Sequence, residues 1–181
     1  MYYKWDKAVS KSECEFLIED CLKSDAKKAF TNKDEKEILD DKIRKTDIRW
    51  IRSGSFIQYS MMGFLADANS RIFRYDITGH EQIQFGTYSK DDHYLWHIDA
   101  ISRNVSNPSG RKLTTSILLS DPKDFEGGEF EIFSGAEKPE QPLQFQGSVC
   151  VMDCTDWHRI TPVTRGVRHS LVMWSHGPNF K

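Results

Sequence analysis

The chain has no long hydrophobic run: none of its 181 residues fall in anything approaching the roughly 18 consecutive apolar positions of a spanning helix. Its opening stretch, Met1-Tyr2-Tyr3-Lys4-Trp5-Asp6, lacks the apolar core of a secretory leader. Neither sign of charge dominates. Lys and Arg total 25 against 27 Asp and Glu, for a net charge of −2, which excludes the basic footprint of a nucleic-acid binder and offers an anionic membrane nothing to hold. Cysteine is scarce. Cys14, Cys21, Cys150 and Cys154 form no C-x-x-C pair and do not read as a disulfide framework. Cys14 and Cys21 lie seven apart, on one helix face, where thiols act as small buried hydrophobes. The expectation is a cytoplasmic protein with no nucleic-acid or membrane partner.

What is present is ordinary for a globular protein, with 38% hydrophobic and 29% charged residues. Residues 1–181 read as a single domain, helical to about residue 75 and β-rich from about 80 to 178. Ser10 and Glu13 fit a capping box, with Val9 and Cys14 as its hydrophobic staple, and Phe16, Leu17, Ile18 and Cys21 supply the apolar stripe of a helix over 9–23. Phe56, Tyr59, Gly63, Phe64, Ala68 and Ile72 predict a second helix over 55–74. The charge-rich 24–47 stretch reads as a solvated surface, and 31–49 is a candidate lid over a substrate. Strands are expected at 82–88, 94–99, 113–119, 128–133, 147–152 and 168–174, separated by turn-rich stretches at 104–110, 120–127 and 134–142. No helical pattern interrupts them, so the fold class is mainly β with N-terminal helices, α+β, with an antiparallel sandwich, barrel or jelly roll as its core.

Against this background one constellation stands out: His97-Ile98-Asp99, then His158, then Arg168. On a strand, His97 and Asp99 project to the same face. Two imidazoles and a carboxylate form the facial triad that holds non-haem Fe(II) and leaves coordination positions open. Each member alone has a structural explanation, since His97 suits a packed strand and Asp99 a turn. Zinc is compatible with the donor set, but no general base stands at motif spacing. A cation ten residues past His158 suits an acidic cosubstrate beside the metal, and the combination points to an Fe(II)/2-oxoglutarate oxygenase. Of the other histidines, His93 would share a metal with His97 only on a helix, His80 and His176 read as surface or structural, and His169 faces away from Arg168.

These residues resemble a known family. Residues 84–99, QFGTYSKDDHYLWHID, are similar to the Y-x₈-H-x-D segment of the prolyl 4-hydroxylase class of 2-oxoglutarate oxygenases. Residues 111–133, RKLTTSILLSDPKDFEGGEFEIF, resemble its central strands and Gly-Gly turn, and 155–178, TDWHRITPVTRGVRHSLVMWSHGP, the His-ligand strand of its small PKHD-type members. The resemblance spans about 48–178. It implies a double-stranded β-helix, or jelly roll, braced by two or more helices. It also implies His97, Asp99 and His158 as iron ligands, Arg168 against the distal carboxylate of 2-oxoglutarate, and Tyr88 beside the cosubstrate. Some relatives have a Tyr on the central strand where this chain has Leu118, so Thr115 or Ser170 is expected to complete that contact. Fe(II), 2-oxoglutarate and O₂, with ascorbate as a reductant, are the implied cofactors.

Aromatic and Arg side chains near the ligand strands, Tyr94, Trp174 and Arg111 among them, suit an extended proline-containing peptide. Trp174 serves equally as core packing. The expected activity is hydroxylation of a prolyl residue in a protein or peptide, with decarboxylation of 2-oxoglutarate to succinate and CO₂. A related oxygenase acting on a free amino acid or other small molecule, and a silent jelly-roll binding module, are the alternatives. The oligomeric state is left open.

Overall fold

A computed structural model of the chain describes residues 1–29, 31–33, 36–38, 40–100, 109–133 and 135–178. In chain order, β1 (Tyr2–Trp5) and α1 (Lys11–Leu22) precede four short strands, β2 (Lys27–Lys28), β3 (Thr31–Lys33), β4 (Lys36–Ile38) and β5 (Arg44–Lys45). β6 (Asp47–Trp50) leads into α2 (Phe56–Ala68), which continues as a π-helical turn, Asn69–Phe73. Then follow β7 (Gly79–His80), β8 (Gln84–Tyr88), β9 (His93–His97), β10 (Ser109–Leu118), β11 (Phe125–Gly127) and β12 (Phe130–Phe133). The last four are β13 (Val149–Asp153), β14 (Trp157–Ile160), β15 (Val163–Gly166) and β16 (Arg168–Pro178).

The major sheet runs β1-β13-β10-β16-β8-β6-β2, with β7 beside β16, and the minor sheet runs β12-β14-β9-β5. Neighbouring strands are antiparallel throughout, as in β10 with β16 and β14 with β9. Period-two alternation gives the major sheet two different faces. Ile117, Val149, Leu171, Met173 and Phe85 pack against Val9, Cys14, Cys21, Ile57 and Met61 of the helical layer. Leu118, Cys150, Met152 and Tyr88 turn the other way and meet Phe130, Ile132 and Ile160 of the minor sheet. The result is three layers: helices, major sheet, minor sheet.

Both expected helices form, and the capping box of α1 is present: Ser10 Oγ accepts the Glu13 N–H, and the Glu13 carboxylate accepts the Ser10 N–H at 2.9 Å. Their inner faces are rotated from the expectation. Cys14, Leu17, Ile18 and Cys21 face the sheet, following i, i+3, i+4, i+7, while Phe16 lies two residues off this stripe and is exposed. In α2 the buried stripe is Ile57, Met61, Leu65 and Ala68, and Phe56 and Tyr59 are left 77% and 63% exposed. The 24–47 stretch is more than solvated surface, since β2 and β5 extend the two sheets. Of the candidate lid at 31–49, residues 34, 35 and 39 lie outside the described residues, and β5 and β6 belong to the sheets. Residues 104–108 of one expected turn also lie outside, and Ser109 and Gly110 already belong to β10.

Candidate metal centre

β9 and β14 are neighbours in the minor sheet, with His97 directly opposite His158. The register shifts between His158 and Ile160, so β9 uses the three steps from Tyr94 to His97 where β14 uses two. This bulge cancels one alternation. Tyr94 and His97 therefore face the same pocket and stack with ring centroids 3.4 Å apart. β9 ends at His97, so Asp99 lies past the strand rather than on it. Its backbone is held in an irregular segment by two hydrogen bonds, the N–H groups of Asp99 and Ala100 both donating to the Cys154 carbonyl, at 2.9 and 3.0 Å.

The protonation of the donors follows from their partners. His97 Nδ1 lies 2.8 Å from the Leu95 carbonyl and His158 Nδ1 2.9 Å from the Asp156 carbonyl. A carbonyl only accepts, so each Nδ1 carries a hydrogen and each Nε2 is the nitrogen left to face the metal site. His97 Nε2 is 3.7 Å from Asp99 Oδ1, and His158 Nε2 is 3.4 Å from Oδ2. One ligand atom from each residue falls within 4.8 Å of the others. Burial, reinforced by His158, pushes the His97 pKa down to about 3, leaving a neutral imidazole at pH 7. Burial alone would raise the Asp99 pKa, but the two imidazoles and a 2.7 Å hydrogen bond from Thr114 Oγ1 hold it below the usual carboxylate range. A neutral imidazole and an ionised carboxylate are the forms that bind a divalent metal. The donor set fits Fe(II).

Farther along the same pocket, Arg168 is 2% exposed. Burial lowers its pKa to about 10, so it stays cationic at neutral pH. Its Nη1 donates to Ser170 Oγ at 2.9 Å, and its guanidinium lies 5.6 Å from the centre of the Tyr88 ring. The side chain thus points along β16 toward the metal ligands. Space for it comes from the Gly-Gly turn: Gly128 has φ +66°, and a Cβ there would sit 3.0 Å from Arg168 Cδ and 2.9 Å from Val163.

The expected site residues divide. Tyr88, Ser170, Tyr94 and Trp174 line this pocket with the three ligand candidates and Arg168. Thr115 does not. It shares the helix-facing parity of Leu113 and Ile117, and its Oγ1 has no hydrogen-bond partner among the described residues. Thr114 and Ser116 face the pocket instead, and Leu118 packs between the sheets. Arg111 is also outside the lining. It makes a two-pronged pair with Glu81, at 2.5 and 2.7 Å, and lies 4.0 Å over the Trp174 ring, backing that wall from outside. Arg44 and Gln84, hydrogen-bonded to each other, line the pocket without having been singled out. For Thr114 and Ser116 the signal was the polar parity of Leu-Thr-Thr-Ser-Ile. For Arg44, inside a charge-rich stretch, there was none. His80 bonds Ser175, His176 lies beside Glu81, and His169 stacks on Phe85 on the opposite face, as structural histidines do.

The family model of the 2OG-Fe(II) oxygenase superfamily matches residues 83–176, just over half of the chain. The chain belongs to this superfamily. Membership implies Fe(II), 2-oxoglutarate and O₂ as metal and cosubstrates, in agreement with the donor set. The chain is 33% identical over 93 residues to a PKHD-type hydroxylase of Janthinobacterium sp. and 34% identical over 96 residues to one of Paraburkholderia xenovorans. Each alignment covers 50% of the chain but only 41% and 40% of those relatives. Among solved structures, it is similar to the viral collagen prolyl hydroxylase of Paramecium Bursaria Chlorella virus-1, with TM-score 0.73, 20% identity, and 97% and 96% of the two chains covered. It is also similar to a Trichoplax adhaerens prolyl hydroxylase in complex with a hypoxia inducible factor peptide, with TM-score 0.76, 16% identity, and 96% and 82% covered. At such identities the likeness shows the fold, a mainly β, antiparallel jelly roll with two α-helices among the described residues. Among the described residues no helix is long and apolar enough to cross a membrane.

Proposed function

We propose that this chain is a single catalytic domain that hydroxylates a prolyl residue of a protein or peptide, coupled to decarboxylation of 2-oxoglutarate to succinate and CO₂. One observation carries the reading: a neutral His97, an ionised Asp99 and His158 converge in the pocket whose far end holds the buried cation Arg168. In it, His97, Asp99 and His158 hold Fe(II). Arg168 meets the distal carboxylate of 2-oxoglutarate through its planar fork, with Ser170 fixing the guanidinium and Tyr88 walling the cosubstrate. Fe(II), held there by His97, Asp99 and His158, would supply the oxidative chemistry. The protein orients and excludes water: Phe130, Leu143, Ile160 and Val172 give the pocket apolar walls. Trp174, covered by Arg111 on one side, lines the pocket, and a prolyl ring suits such an aromatic surface; Tyr94, stacked on His97, walls the pocket beside the metal ligands.

The prolyl assignment is supported by the fold shared with structures described as prolyl hydroxylases, one of them with a peptide bound. All four cysteines are free and buried, which fits a reducing, cytoplasmic setting. The test is succinate release from 2-oxoglutarate by the Fe(II)-loaded protein, with and without proline-rich peptides. Release stimulated by peptide and lost in His97→Ala is expected. Iron-dependent release indifferent to every peptide would move the substrate to free amino acids or other small molecules, and release equal in His97→Ala would overturn the metal assignment.

A further inference from the structure

Asp99 has two carboxylate oxygens, and what each of them does decides how many coordination positions remain. Three protein donors leave three positions in an octahedral site. A cosubstrate bound through two oxygens, together with O₂, needs all three. A carboxylate bound through both of its own oxygens would take one of them away.

We propose that Thr114 is the positioning residue that confines Asp99 to metal binding through one oxygen, and so keeps the third position open. The inference rests on the reading of His97, Asp99 and His158 as the metal-binding set. Thr114 Oγ1 lies 2.7 Å from Oδ2, and as a hydroxyl beside an ionised carboxylate it donates. Oδ2 thereby has a fixed hydrogen-bond donor, with His158 Nε2 3.4 Å away, while Oδ1 has no such donor and faces His97 Nε2 at 3.7 Å. The donor is held firmly. Thr114 is 1% exposed, in the middle of β10, paired across to Met152 on one side and Trp174 on the other, and its branched Cβ restricts χ1.

The backbone of Asp99 is equally restrained. Its N–H and that of Ala100 share the Cys154 carbonyl, and its own carbonyl accepts from Arg111 Nη1 at 3.4 Å. With the backbone pinned, rotation of the carboxylate is the freedom that remains, and the Thr114 hydroxyl removes it. A packing role alone would not require a hydroxyl. Valine has the same shape without the donor, whereas serine keeps the donor and loses only a methyl group.

The experiment is titration of the metal-free protein with Co(II), followed by visible absorption, then addition of 2-oxoglutarate to the Co(II) form. In Thr114→Val the Kd for Co(II) should rise 10- to 100-fold, the range for losing an outer-shell partner, and the spectral response to 2-oxoglutarate should weaken. Thr114→Ser should restore both, with the melting temperature of the metal-free protein unchanged. Should the valine variant fail to fold, Thr114→Ala against Thr114→Ser poses the same contrast. Wild-type affinity and 2-oxoglutarate response without the hydroxyl would overturn the role of Thr114. Co(II) binding that survives in His97→Ala would instead overturn the metal-site reading beneath it.

Discussion

Arg168 is a buried full charge, and a charge in that position is costly unless an anion completes it. Among the described residues, Ser170 on β16 orients the guanidinium without neutralising it, and the Glu129 carboxylate offsets the effect of burial only in part. On the proposed reading a dicarboxylic cosubstrate supplies the balancing anion, so Arg168→Ala should act on cosubstrate binding. Truncating one partner of a buried hydrogen-bonded charge pair costs about 2–5 kcal/mol, or at least ~30-fold in affinity. The apparent KM for 2-oxoglutarate, measured by succinate release, should rise by that factor, while release at saturating cosubstrate falls less. An unchanged KM would remove Arg168 from the cosubstrate site. At this scale the sequence was most legible where chemistry restricts residue type. Two imidazoles, a carboxylate and a cation at their spacings stood out among 181 residues, and the structure brings all four into one pocket. Thr114 was harder to see, because Thr114 and Thr115 are chemically identical and differ only in the face on which the pleat places them.

The element scale shows the same limit. Alternation and β-branched or aromatic content made strands legible: β10 alternates polar and apolar positions, whereas β13, apolar on both faces, shows as a short Val-rich run. Helix existence was legible too, but the buried face was displaced toward Phe16, Phe56 and Tyr59, because large aromatics dominate a periodicity estimate while small Cys14 and Ala68 fill the tight sites against the sheet. The bulge in β9 left no sequence signal, and strict alternation would have sent Tyr94 away from His97. On β16, alternation places His169 opposite Arg168, stacked on Phe85. Burial, then the charges of Arg49 and Arg168, push its pKa down to about 4. The unfolded chain takes up that proton near pH 6.5, the native protein only near 4. Stability from this group is therefore complete above pH 6.5 and is lost as pH falls toward 4. Between pH 7.5 and 5 the share of the loss from His169 should reach at most about 2 kcal/mol, beside the share from the buried His97. Denaturant unfolding at the two pH values should show it in the wild type and a smaller change in His169→Gln. Equal changes in both would place the pH sensitivity elsewhere.

At the scale of the whole molecule, the candidate metal site is a junction between layers. His97 and His158 come from the minor sheet, the carboxylate of Asp99 is held by Thr114 of the major sheet, and its backbone is held by Cys154 just past β13. The short strands between the helices contribute to both sheets, since β6 borders β8 and β5 borders β9, putting Arg44 on the pocket wall. That contribution was hidden in the sequence, because two-residue strands in a charged stretch carry no periodicity. A divalent cation bound at the junction would tie β9 and β14 to the β10–β13 side of the fold, and unfolding would release it. With Co(II) at about 100 times its Kd, mass action predicts a gain of about 2.7 kcal/mol in unfolding free energy, reversed by a chelator. His97→Ala should abolish the gain even if its metal-free stability matches the wild type, because the neutral imidazole that completes the donor set is gone. A gain of equal size in His97→Ala would mean that the stabilising ion binds elsewhere, and that the sheets are not joined through this site.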